Sequence, residues 1–383
     1  MNHSILKSFI KIVLSGCYAL PVLLIPNSVY AQSKTWVPTN SGEVVLEYDA
    51  TSISNAKDST STSENVHITW DIIYPQLQDL LSQSSLPGQS HLEQQAQLLA
   101  GSWNKNFKLD AHKYSVNDQY ELQLINAQLL QKKHRFKEAL QKLKSIPKSS
   151  QLYAQAALIE SRIHHIEENY DAARQSCSEL LSQGLPLYAQ LCLIETEALS
   201  GQPEKSYQLL TNFRNQYERN SDDVLNWYHQ VAGSIARILN ETEKAEQHFA
   251  FKLDIAPVSQ WYQWADMAMK TGNVKNVYSR LKQFNDGNKK LEDGLIVRLA
   301  RAEKLLGLNG NYQDLAKEKI ALRIKRNDLL HAADIAYYFL YVSPDSDKAL
   351  YWAEQNWKKA KEPSDRELLV QAGSLNTAGG THE

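Results

Sequence analysis

Cys177 and Cys192 lie seven or eight residues to either side of a turn centred on Gly184-Leu185. Two antiparallel helices joined there would carry them at the same level, where a disulfide forms if the Cα atoms approach within bridging range. An oxidising compartment permits that bond; otherwise the pair reads as two buried thiols packing as small hydrophobes. The histidines offer less. His164 and His165 are adjacent, so on a helix they point roughly a quarter-turn apart and chelate one ion poorly. His134, His229, His248 and His331 each stand alone, without the spacing of zinc ligands. The acidic pairs Glu167-Glu168 and Asp222-Asp223 read as solvated turn residues, and a glycosidase would need its carboxylates across a cleft. Nucleophile motifs, glycine-rich phosphate loops and His-Glu metal helices are missing. The expectation is a chain with no catalytic residue, no metal and no cofactor.

What the sequence does contain is a period. Phe136 and Ala139 recur 34 positions later as Tyr170 and Ala173. The stretch from Tyr153 to Glu160, YAQAALIE, returns from Tyr188 to Glu195 as YAQLCLIE. Repetition at this length marks a chain built by stacking one supersecondary unit. Apolar residues at three-to-four spacing predict paired helices. The first pair covers 122–130 and 136–146, stopping at Pro147; the second covers 153–164 and 170–181. The third turns at Gly201-Gln202-Pro203, with Ser206 at the small position. Upstream, Trp70, Ile73, Leu77 and Leu80-Leu81 predict a helix, Pro87-Gly88 a turn, and 92–103 another helix; this pair would cap the array.

These units resemble the tetratricopeptide repeat (TPR). That pattern has a small residue in the first helix, an aromatic opening the second, then an alanine, a bulky residue and a proline. Gly233, Ala245, Phe249 and Pro257 stand at those places in the fourth unit. The fifth has Trp261, Ala265 and Gly272-Asn273, with Val277 in place of the alanine. The sixth has Gly310-Asn311-Tyr312 with Leu315 at the small position, and the seventh has Ala349, Ala353 and Trp357. The resemblance covers about residues 120–363. It implies an all-α fold, a right-handed α-solenoid of stacked helical hairpins, and it implies a concave inner surface built from first-helix positions. Those positions are Gln155, Arg162, His165, Glu195, Trp227, Gln230, Arg237, Tyr262 and Asp266. Trp261 and Trp264, three apart, are expected in the core, and Tyr262 is expected to point elsewhere.

The resulting domain plan runs 1–31 signal peptide, 32–65 linker, 66–115 capping helices, 116–363 repeat array, and 364–383 helix end and disordered tail. In the leader, Lys7 and Lys11 precede an apolar run from Ile12 to Ile25, and cleavage after Ala31 fits an export signal. Leu14-Ser15-Gly16-Cys17 is a rival lipobox that would place a lipid anchor on Cys17. Residues 43–48 read as a short strand within the linker. Removing 1–31 takes away two lysines and no acid, moving the net charge from −2 to −4. Neither value supplies the basic footprint that nucleic acid demands. The expected function is a non-catalytic scaffold in the periplasm or cell envelope, or secreted, that binds a protein or peptide on the concave face. The alternative is a subunit or accessory factor of a cell-wall-acting enzyme.

Overall fold

The computed structural model describes residues 69–286 and 290–379. The expected signal peptide, lipobox, linker and strand lie outside the described residues. Within them the protein is all-helical. The helices are α1 (Trp70–Gln83), α2 (His91–Leu109), α3 (Val116–Lys132), α4 (Phe136–Leu143), α5 (Tyr153–Ile166), α6 (Tyr170–Ser182), α7 (Pro186–Leu199), α8 (Pro203–Asn212) and α9 (Arg214–Glu218). They continue with α10 (Asp222–Ile238), α11 (Thr242–Phe249), α12 (Val258–Lys270), α13 (Val274–Asp286), α14 (Asp293–Leu305), α15 (Tyr312–Lys325), α16 (Ala332–Tyr337), α17 (Ser346–Trp357) and α18 (Pro363–Gly379). One π turn, Tyr338–Val342, extends α16. No described helix is long and apolar enough to cross a membrane.

Local chemistry explains the helix ends. Ser115 and Asp118 form a reciprocal capping box at α3, with bonds of 3.1 and 2.8 Å. Asn169 caps α6 and Asp345 caps α17. Pro186 and Pro203 open α7 and α8, where a missing N–H costs nothing. The first helices of units one to six each hand over through one left-handed residue: His134, Glu168, Gly201, Asn240, Gly272 and Gly307. Glycine adopts that conformation freely; His134 and Glu168 do not.

Consecutive helices pack on one another, and first helices touch across units, α3 on α5, α5 on α7, α7 on α10 and α12 on α14. The small residues lie at the crossings. Ala139, Ala173, Ala245, Val277 and Ala349 are fully buried, and Ser206 nearly so. A side chain this short lets two helix backbones approach, and its neighbours fill the remaining space. In α15 the buried alanine is Ala316, one position beyond the expected Leu315, which is only partly buried. The sixth unit starts its second helix from a longer link, so its register slips by one. Gly233 is built into this packing, because a Cβ there would stand 2.7 Å from the Phe249 ring. At the C-terminus, α18 runs to Gly379, within the segment expected as a helix end and disordered tail.

Candidate functional site

One face of each of the first helices α3, α5, α7, α10 and α12 turns onto a common cavity of 510 Å³. In α10 the lining residues are Trp227, Gln230, Ser234 and Arg237, at spacings of three, four and three, a single helical stripe. From α5 come Leu158, Arg162 and His165; from α7, Glu195 and Leu199; from α12, Gln260 and Gln263. Gln128, Gln131 and Lys132 of α3 complete the wall, with Ser85 from the α1–α2 link and Lys361 to Pro363 ahead of α18. The volume falls in the range of small-ligand sites.

Long-range contacts hold these walls together. The Val258 amide donates to the Ser85 carbonyl at 2.8 Å, and the Gly88 amide donates to the Glu292 carboxylate at 3.0 Å. The Lys361 amide donates to the Ile166 carbonyl at 3.1 Å. The tip of the first helical pair therefore meets units five and six, and the last helix meets unit two.

Of the nine residues that the repeat pattern singled out, Arg162, His165, Glu195, Trp227, Gln230 and Arg237 line this cavity. Arg162 pairs with Glu195 at 3.5 Å and with Glu362. Burial pushes the Glu195 carboxyl up, and Arg162 and a hydrogen bond from Trp227 oppose that rise. Arg237 pairs with Glu367 at 2.8 Å and donates to Gln263. Gln230 donates to Gln260 at 3.3 Å, while Gln260 donates to the Phe249 and Phe251 carbonyls at the end of α11.

His165 is 5% exposed, and burial, then Arg162, drives its imidazole down to about 3, so it is neutral near pH 7. Thr196 Oγ1 spends its proton on the Cys192 carbonyl at 2.7 Å. The 2.7 Å contact between Thr196 Oγ1 and His165 Nε2 then requires Nε2 to donate, which places the neutral ring's proton there. His165 is thus a strut between two helices that also forms cavity wall.

The other three lie elsewhere. Gln155 is buried at 3% exposure with neither amide atom hydrogen-bonded. Its place near the start of α5 puts it inside the packing rather than on the wall. Asp266 accepts both ends of Arg298, at 3.0 and 2.9 Å, and the Tyr337 hydroxyl at 2.7 Å. Burial raises its carboxyl, but Arg298 outweighs that and holds it below the usual range. Arg298 lies between the Tyr262 and Tyr337 rings, 4.2 and 4.4 Å from their centroids. Tyr262 and Asp266 therefore belong to a polar joint between units five, six and seven. Gly294 leaves room for it, since a Cβ there would meet Asp334 and the Tyr262 hydroxyl.

The expected cross-hairpin bridge is present, and two other readings change. Cys177 and Cys192 form a disulfide, with Cα atoms 5.4 Å apart. His229 and His248 do not stand alone: their Nδ1 atoms are 3.0 Å apart on neighbouring antiparallel helices, and both imidazoles are pushed down to about 4 by burial. Asp223 is buried, and Glu168 holds Lys361 and Arg366, so neither is merely a solvated turn residue. Reasoning from the repeat pattern also missed Gln128, Gln131, Lys132, Gln263 and the link before α18. The α3 and α12 residues lie on first-helix faces that the repeat alignment could have included; the link before α18 carries no repeat signal. No protein-family model matches the chain, and no characterised protein resembles it at a significant level.

Proposed function

We propose that this is an exported, non-catalytic scaffold of TPR type, a right-handed superhelix of helical hairpins that binds a protein or peptide segment on its inner face. The observation carrying this reading is the convergence of Arg162, Glu195, Trp227, Gln230 and Arg237, from three first helices, on one 510 Å³ cavity. Aromatic, guanidinium and amide groups on a rigid concave wall suit a peptide, whose backbone needs both donors and acceptors. The two carboxylates on the wall, Glu195 and Glu362, both turn onto Arg162 rather than toward a space between them. That arrangement favours binding over acid–base work. The disulfide supports an oxidising compartment, in keeping with the export-like leader.

A photo-crosslinking amino acid at Ser234, on the cavity wall, and another at Glu243, exposed on α11, tests the reading. A discrete adduct with an envelope protein or peptide is expected from position 234 and not from 243. Equal labelling from both positions, or none from 234 in a folded variant, would overturn it.

A further inference from the structure

Residues 361–367, the end of the α17–α18 link and the first turn of α18, lie against helices remote in sequence. The Lys361 amide bonds to the Ile166 carbonyl, a main-chain contact of the kind that seats peptides. Glu362 pairs with Arg162; five residues on, Glu367 pairs with Arg237 and Lys270. Lys361 and Arg366 reach Glu168, and Gln263 donates to Ser364 at 3.5 Å. Seven residues of chain thus engage three hairpins, through two carboxylates seated on cations.

The wall beneath this segment is basic. Apart from the segment itself, the cavity's charged side chains are Lys132, Arg162 and Arg237 against Glu195, in a chain whose net charge is −2. The contacts of Arg162, 47% exposed, and Arg366, 61% exposed, are partly solvated and screened by salt, while Arg237 beneath Glu367 is buried at 8%. α18 itself is anchored by Asn356, which donates to Asp365 at 2.7 Å, and by Leu368 and Ala372 in the core. Glu168 takes the left-handed turn position that His134, Gly201, Asn240 and Gly272 take in other units, and its carboxylate receives the segment.

We infer that residues 361–367 occupy in cis the place of an acidic peptide segment. The partner's carboxylates would take Arg162 and the Arg237–Lys270 pair after displacing Glu362 and Glu367. This rests on the peptide-binding reading above and specifies its ligand. A tethered competitor acts at high effective concentration, so the wild-type chain binds the acidic segment weakly until the cis contacts are loosened.

The test uses the full chain and a fluorescent heptapeptide, Lys-Glu-Pro-Ser-Asp-Arg-Glu, beside a version with Gln at both Glu positions, in polarisation assays at low salt. The Glu362→Gln/Glu367→Gln variant is expected to bind the acidic peptide about tenfold more tightly than wild type. Adding Arg162→Gln and Arg237→Gln should abolish that gain. Equal binding of the Glu and Gln peptides would overturn this inference and leave the peptide-binding reading standing. No binding of either peptide would also overturn it, while crosslinking from position 234 judges the broader reading separately. Hydrogen exchange on the unaltered chain is independent of any substitution. Saturating acidic peptide should speed exchange at the Lys361 amide, and unchanged or slower exchange would overturn the displacement.

Discussion

Gln155 and His165 lie ten residues apart on α5, and both carry buried polar atoms without partners, yet they have opposite consequences. Gln155 leaves both amide atoms unpaired. Desolvating such a group without a bond costs about 1–3 kcal/mol. Gln155→Met, similar in shape and apolar, should therefore raise the urea midpoint, and a lower midpoint would show a hydrogen-bonding role. His165 keeps one good bond, donated from Nε2 to Thr196, and its burial favours the neutral ring. Its folded value of about 3 lies below the ordinary 6.5. Between those values the unfolded chain binds a proton that the folded chain does not, so stability falls as pH drops from 6.5 and levels off below the folded value. The full contribution of a shift this size is on the order of 5 kcal/mol. His229 and His248, both pushed down to about 4, act in the same direction and window. Urea midpoints measured from pH 7 to pH 4 should decline, and His165→Gln should make that decline shallower. An unchanged slope would mean that His165 is not buried neutral.

At the scale of elements, two devices hold neighbouring helices in register. The disulfide ties α6 to α7 across a sequence separation of 15. Closing a loop of that length in the unfolded chain contributes about 3 kcal/mol. Cys177→Ser/Cys192→Ser should lose about that much in equilibrium unfolding, and a loss near zero would show that packing alone sets the register. The second device is the close approach of α10 and α11 at Gly233. Adding a methyl group there pushes into the Phe249 ring. Overpacking of this kind costs about 1–3 kcal/mol. Gly233→Ala should destabilise, and Phe249→Leu should recover part of the loss when combined with it. Simple additivity of the two changes would show that the contact is not the cause.

The described residues share no single core. The buried apolar ones form four clusters that follow one another along the chain, spanning Trp70 to Leu129, Leu124 to Ile163, Ala154 to Ile235 and Ala236 to Ala372. Each overlaps or abuts the next, as expected where a hairpin covers only its neighbour's open face. Unfolding should therefore depart from two-state behaviour, with helix loss by circular dichroism and tryptophan fluorescence giving different midpoints. Coincident midpoints would show that the bonds from Ser85 to Val258 and from Lys361 to Ile166 weld the array into one cooperative unit.

Much of this was legible in the sequence because the determinants are local. Three-to-four apolar spacing, capping residues and small residues at helix crossings act within a few turns of chain. They sufficed for the helical pairs, the level placement of Cys177 and Cys192, and the inward stripe of α10. The slip from Leu315 to Ala316 arose because one longer link shifts register without disturbing periodicity. Tyr262 and Asp266 were read by analogy with earlier units, but Arg298 of the next unit draws them into a joint. The meeting of His229 with His248, and the seating of Glu362 and Glu367 on Arg162 and Arg237, join residues between 19 and 200 positions apart. Nothing local encodes such pairings. They depend on how helices remote in sequence pack together, and only the tertiary structure decides where the last helix returns.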